Sequence, residues 1–499
     1  MIVSQLFKVA GMVSASFLFA TCTNHELAPS AEPTVSKIDQ LRSSLKGTLM
    51  TINQLRSLRV AAAPDSIYLT DDGKEGLFTL ASTDKTTPDN VGTVLVTSDG
   101  LRYKRSYSGA ASAAWFNLSS ADDDIGPELQ NAVNSSNDVF IPDGEYRQRT
   151  KVILRSGVNI HANPGKVTLK LTGDGYISFQ NFWSEQDLNN VTIDGINWQM
   201  ASTARVEGSY GPITIDGPNV RNLTVKNCKS VHTSPTAKVN WFFLKVSPGK
   251  MTDNIQITNN SVIGARMGVE CLSQRQPVPY LGKNINVLSN RFENCGFGIS
   301  IAGSFVNARV DNNYLKNCPT YGVEFAGWLH GAQLSNNRFE GSFAALFSGN
   351  WENDGDGNVG AGTHAWGNST VGVCSGKWDV RNGFNMLMEN NNLNMTGVLS
   401  ISGSSNNARF YGNTFVSTTQ NKVIEINDVA NLEFANNYIS NEGVTNSWLV
   451  IIVNGQTAKN NVFRNNRIVK SSGSFIGAGN NATFQFYGNT DKNGNQISI

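Results

Sequence analysis

Asn260-Ser-Val, Asn290-Arg-Phe, Asn313-Tyr-Leu, Asn337-Arg-Phe, Asn391-Asn-Leu, Asn413-Thr-Phe, Asn437-Tyr-Ile and Asn466-Arg-Ile repeat one signature, with a last copy at Asn489. Successive copies lie 22 to 30 residues apart, except for one double-length step after Asn337. A fixed period of this size signals stacked, equivalent units that bury their apolar faces only against their neighbours. Each copy follows a short alternating segment, such as Ile255-Gln-Ile-Thr, Phe434-Ala-Asn or Val462-Phe-Arg, and precedes another apolar pair. Strand, tight turn at Asn, strand is one coil of a right-handed parallel β-helix, an all-β solenoid. Asn suits the turn because it tolerates left-handed backbone, and stacked copies can hydrogen-bond their amides along the axis. The double-length step reads as a loop of roughly thirty extra residues.

Composition agrees. The chain has 499 residues, with 47 Gly, 14 Pro and 16% charged residues, so it is soluble and can bury a long core. A formal charge of +1 argues against nucleic acid as a partner. The cysteines are Cys22, Cys228, Cys271, Cys295, Cys318 and Cys374. Cys295 and Cys318 fall at the same offset after their Asn, and Cys228 falls at the Asn position itself. They read as small buried apolar residues, free thiols rather than a disulfide framework.

Residues 1–21 read as a secretory signal: Lys8, an apolar stretch from Val9 to Ala20, then a small-residue approach to Cys22. Leu18-Phe19-Ala20-Thr21-Cys22 is a loose lipoprotein cleavage box, so Cys22 is a candidate lipid anchor. The expected location is beyond the inner membrane: outer-membrane lipoprotein, cell surface or periplasm. No later stretch is long and apolar enough to span a bilayer. Residues 22–36 form a polar tether. In residues 37–62, Ile38, Leu41, Leu45, Leu49, Ile52, Leu55 and Leu58 make an apolar seam at helical spacing. A helical stalk of this kind suits a monomer docking it onto its own body, or a homotrimer. Residues 65–109 read as a small β-rich module. Residues 112–499 form the main domain, in which Asp124-Ile-Gly-Pro-Glu-Leu-Gln-Asn-Ala-Val is an amphipathic helix that would plug the open end of the solenoid.

The order of small β module, Ala114-Trp-Phe, the LQNAV helix, Val139-Phe-Ile-Pro-Asp-Gly-Glu-Tyr, Val191-Thr-Ile-Asp-Gly-Ile and the Asn coils resembles the pectate-lyase-like β-helix superfamily. Gly76-Leu-Phe-Thr-Leu to Lys104-Arg also resembles the module preceding the helix in phage tailspike-type proteins. The resemblance covers residues 65–490 and implies the fold. Its members include uronic-acid polysaccharide lyases, glycoside hydrolases, epimerases and carbohydrate-binding spikes. The polygalacturonase-type motif set is absent.

Coil register locates the candidate chemistry. Met267-Gly-Val-Glu-Cys, Phe297-Gly-Ile-Ser-Ile and Tyr321-Gly-Val-Glu-Phe superpose as successive coils. Alternate residues share a face, so Val269, Cys271, Ile299, Ile301, Val323 and Phe325 point inward. Glu270, Ser300 and Glu324 then point outward in one column. The same parity turns Arg266, Trp328 and His330 outward, together with Trp241 and Lys245 on the coil before. Carboxylates, cations and aromatics on one wall suit polysaccharide recognition, because rings stack on sugars and charges hold hydroxyls or carboxylates.

Two insertions leave this column. Residues 273–283 (SQRQPVPYLGK) carry Arg275 and Tyr280 as candidate substrate contacts. Residues 350–379 carry His364, and also Asp354, Asp356 and Asn358, whose alternating oxygens resemble a calcium loop without its following Gly or distal acid. The preferred reading is a polysaccharide lyase cleaving a uronic-acid polymer. Lys245, Arg266 or His330 would act as base, and a cation or Ca2+ held by Glu270 and Glu324 would neutralise the uronate. An inverting glycoside hydrolase using Glu270 and Glu324 is the alternative, since carboxyls roughly 6.5–9.5 Å apart suit inversion. A non-catalytic carbohydrate-binding spike is the third.

Overall fold

The structure, a computed structural model, describes residues 48–171, 180–200, 206–233, 237–273, 281–341, 345–348, 362–420, 422–445, 449–479 and 481–499. It begins with a five-stranded sheet, in the order Thr48–Met50, Ser66–Leu69, Gly76–Leu80, Arg102–Arg105, Val94–Val96, antiparallel from Ser66–Leu69 onward. Its core is Ile52, Leu55, Ile67, Leu69, Phe78, Leu95 and Tyr103. The described end of the expected 37–62 helix is therefore not one helix. Leu49 lies in a strand, Ile52–Arg56 is a five-residue helix started by a Thr51/Gln54 capping box, and Val60–Ala62 is a 3-10 turn. Ile52 and Leu55 bury their apolar side chains against the module's own sheet rather than along a stalk.

Arg105 fastens this module to the main domain. Its guanidinium lies over Phe78 and Trp115, 4.6 and 4.2 Å from their centroids, and donates to the carbonyls of Gly92, Glu75 and Lys74. The plug helix follows at Gly126–Ser135, with Pro127 in its first turn and Asp124 Oδ1 accepting from the Gly126 N–H at 3.0 Å. Leu129, Ala132 and Val133 close the end of the solenoid bore.

Each coil then crosses three parallel faces. The first face runs from Ala111–Ser112 to Phe484–Tyr487, the second is a ladder of thirteen strands from Gly144–Gln148 to Arg467–Val469, and the third is another thirteen from Val152–Ile153 to Ser474–Ala478. Inward residues of all three faces merge into one continuous core. On the first face Phe410, Phe434 and Phe463 stack with centroids 4.3 and 5.1 Å apart.

The corner between the first and second faces divides its labour between two residues. The left-handed position is the one before the repeated Asn: Asn259, Ser289, Asn312, Asn336, Asn390, Asn436 and Asn465 have φ of 54 to 57°, 59° at Asn436, and Gly367, Gly412 and Gly488 take over elsewhere. The repeated Asn itself is buried and extends the stack. Asn313 shows the pattern: its N–H and Nδ2 donate to Asn337 Oδ1, both at 3.0 Å, and Nδ2 also donates to the Val287 carbonyl at 2.8 Å. The chain of amides runs from Asn260 to Asn489, and Cys228 heads it by donating its N–H to Asn260 Oδ1. The residue before it sets the backbone, and the Asn satisfies polar groups that would otherwise be buried alone.

The double-length step is a full coil rather than a loop. Asn368 accepts from Asn337 and donates to Asn391 at 2.8 Å, and His364–Trp366, Ser369–Val371 and Trp378–Arg381 supply the three strands. Thr370 stands where the other copies carry an apolar residue, which hides this one. The five described cysteines are free and buried.

Candidate functional site

The groove lies on the outward side of the third face. Strand pairing sets Phe243, Glu270, Ser300 and Glu324 side by side, and the same column continues through Leu346 to Asp379, Ser400 and Glu425. Neighbouring strands are about 4.8 Å apart, so Glu270 and Glu324 are about 9.6 Å apart at the backbone. Both are largely buried, at 9% and 5% exposure. Ser300 Oγ donates to Glu324 Oε2 at 2.6 Å. Asn240 Nδ2 donates to Glu270 Oε2 at 2.5 Å, and the Arg266 guanidinium lies 3.7 Å from the same oxygen.

Side walls turn this column into a cavity of about 180 Å³. Met267 and Phe297 line one side; Leu272, Ala302, Gly303, Ala326 and Gly327 line the other. Tyr321 continues the Phe297 side, with ring centroids 5.7 Å apart. Small residues on the second wall keep the space open. The volume falls below the roughly 300–1,000 Å³ of pockets that swallow a whole ligand, so it fits a segment of a longer molecule.

Not every expected residue reaches this groove. Glu270, Glu324 and Arg266 do. Lys245 faces outward one column aside, pairs with Leu272 in register, and holds Asp216 at 3.0 Å. Trp241 is fully buried within the solenoid core, because the strand begins at Phe242 and alternation does not extend back across the corner. Trp328 is 8% exposed and sits in the turn after the third face, so its ring is not an open platform. His330 has rounded that turn onto the first face, paired with Val306, and burial pushes its imidazole below the ordinary value. His364 is also on a first-face strand rather than a loop. Its Nε2 is 2.9 Å from Glu389 and its ring 4.2 Å from that of Trp366. Arg275, Tyr280, Asp354, Asp356, Asn358 and Cys22 lie outside the described residues.

Three groups were missed. Trp183, Tyr210 and Phe243 form an aromatic cluster outside the solenoid core, with centroids 5.1 and 5.6 Å apart and Lys151 4.2 Å over Trp183. Phe297 and Tyr321 form the aromatic wall. Asp379, fully in register with the carboxylate column, holds Lys377 at 2.8 Å and Arg381 at 3.3 Å. Extending the Glu270 parity in both directions would have found Phe243 and Trp183. Asp379 needed the coil at Asn368.

Residues 183–339 match the family described as the right handed beta helix region. The chain is a right-handed parallel β-helix protein. Residues 48–108 of this β-helix protein match the phage tail protein small four-stranded beta-sheet domain. Similar solved structures include the N-terminal fragment of bacteriophage Phi29 gene product 12, 13% identical over 78% of this chain and 73% of that one, TM-score 0.50. Others are the Acinetobacter baumannii phage AM24 tailspike protein (15%, 92% and 67%, TM-score 0.42) and the catalytic unit of a GH87 α-1,3-glucanase from Streptomyces thermodiastaticus (12%, 79% and 73%, TM-score 0.48). At these identities the likeness concerns the fold alone. No curated protein sequence matches the β-helix protein.

Proposed function

We propose that the third-face groove binds a polysaccharide and hydrolyses it, with Glu270 and Glu324 as the acid–base pair. The observation that carries this reading is the pair of largely buried carboxylates in one outward column, separated by the small Ser300 and flanked by an aromatic wall. Their backbones stand about 9.6 Å apart, just beyond the roughly 6.5–9.5 Å between carboxyl groups that inverting enzymes use, so side chains leaning towards each other would leave room for a water beside the sugar. Glu270, held by Asn240 and with the Arg266 guanidinium 3.7 Å away, would draw the proton from the attacking water. Glu324, oriented by the Ser300 hydroxyl, would in its protonated form give its proton to the departing glycosidic oxygen. Water then bonds to the anomeric carbon as the carbon–oxygen bond to the leaving sugar breaks.

β-Elimination on a uronic-acid polymer is the second reading, favoured by Arg266 in the groove and by Lys377 and Arg381 at its far end, cations able to pair with uronates. It ranks below hydrolysis because, among the described residues, none of the three candidate bases is well placed for elimination. Lys245 pairs its ammonium with Asp216, Arg266 is a poor proton acceptor, and His330 stands on another face. A panel of neutral and uronate-containing polysaccharides, followed by reducing ends and by absorbance near 235 nm, tests both. Reducing ends without absorbance support hydrolysis; absorbance supports elimination; binding with neither leaves a carbohydrate-binding spike.

A further inference from the structure

The turns that carry the chain from the third face back to the first differ in length over the first four coils. Residues 154–158 and 247–251 each separate their strands by five residues, whereas residues 185–187 and 218–219 separate theirs by three and two. The short turns therefore form a floor between two taller rims, and a cavity of about 380 Å³ opens there. That volume lies within the roughly 300–1,000 Å³ that encloses a small ligand. Ser156 stands on one rim and Met251, 47% exposed, on the other. Hydrogen bonds knit the floor. Asn219 donates its N–H and Nδ2 to the Asp187 carboxylate at 2.9 and 2.6 Å, and Asn189 donates its N–H to Ser156 Oγ at 3.0 Å. Lys250 Nζ, 3.2 Å from Asp187, balances that carboxylate. Two donors on the floor are left over. The Arg221 guanidinium is exposed and makes no hydrogen bond or ion pair among the described residues, and Asn189 Nδ2 donates to none of them. Strand register sets Asn189 and Arg221 side by side. Asp253, the neighbour of Arg221 on its other side, is held instead by Lys283 at 3.3 Å and by Asn284 Nδ2 at 2.8 Å.

We propose that this corner pocket binds a carboxylate-bearing sugar, with the Arg221 guanidinium and Asn189 Nδ2 donating to the carboxylate. A planar guanidinium matches a carboxylate through two parallel N–H···O bonds, and the adjacent amide supplies a third donor. Lys250 offsets Asp187, so the charge of Arg221 is the one left uncompensated on the floor, and an anionic ligand neutralises it. The C–H face of the sugar rests on the exposed Met251 side chain. Asp187, whose carboxylate has acceptor sites beyond those taken by Asn219 and Lys250, receives a sugar hydroxyl. The pocket shares no residue with the Glu270–Glu324 groove, so this inference stands or falls independently of hydrolysis there.

The test is calorimetric titration with a uronic-acid disaccharide, a neutral disaccharide of the same size, and acetate. The parent protein should bind the acidic disaccharide more tightly than either of the others. Arg221→Gln should weaken that binding roughly tenfold or more, the size of a hydrogen-bonded charge pair, while melting as the parent does. Arg221→Lys, which keeps the charge and loses the planar fork, should recover only part of the affinity. Arg266→Gln, which alters the groove instead, should leave this binding unchanged. Absence of acidic-disaccharide binding by the parent, or a loss that follows Arg266 rather than Arg221, would overturn the proposal. Acetate or the neutral disaccharide binding as tightly as the acidic one would overturn it as well, leaving a bare anion site or a site blind to charge.

Discussion

Ser300 Oγ donates to Glu324 Oε2 at 2.6 Å, from the strand immediately before it on the third face. The bond fixes the carboxylate's orientation in a site where Glu324 is only 5% exposed. Ser300→Ala should lower kcat about tenfold and change KM less, because the hydroxyl both lines the groove and orients the Glu324 carboxylate. Steady-state kinetics on the cleaved polysaccharide reads this out.

The Asn stack predicts a graded stability series. Asn337 accepts twice from Asn313 and donates to Asn368 and to the Val310 carbonyl, whereas the terminal Asn489 donates only to the Phe463 carbonyl while accepting from Asn466. Asn337→Ala strands buried groups on both neighbouring coils and should cost about 3 kcal/mol or more; Asn489→Ala should cost about half as much. Denaturant midpoints of the two variants check the order.

His232 gives the fold an acid sensitivity. Burial pushes its imidazole down to about 3 from an ordinary 6.5, and its Nε2 faces Ser230 Oγ at 3.0 Å. Between those values the unfolded chain binds a proton that the folded chain refuses. The contribution is therefore fully present above about pH 6.5 and is lost as pH falls towards 3, at no more than about 1.4 kcal/mol per unit. His232→Gln should flatten the fall in melting temperature across that window.

Burial of the thiols predicts silence towards thiol reagents. Cys228 is pushed up to about 12, and Cys271 and Cys295 higher still, in each case foremost by burial. A Cys22→Ser protein should take up no thiol label when folded and five equivalents after denaturation.

Much of this was legible in the chain itself, because a stacked fold writes its period into the sequence. The Asn copies counted the coils, and that count aligned Glu270, Ser300 and Glu324 correctly. The failures share one cause: alternation holds only within a strand. Trp241 was carried across a corner and is a core residue; His330 was carried around a turn and belongs to another face. The coil at Asn368 was hidden by the polar Thr370, and with it went Asp379. The small walls at Ala302, Ala326, Gly303 and Gly327 had no signal beyond residue size, since a groove is defined by what surrounds it.

The most direct test of the groove as a hydrolytic site is the turnover of Glu270→Gln and Glu324→Gln on a polysaccharide that the parent protein cleaves. Each variant should fold, melt within a few degrees of the parent, still bind the polysaccharide, and release reducing ends at least about a hundredfold more slowly. Full turnover by both variants would contradict the account and move the chemistry to another face of the solenoid.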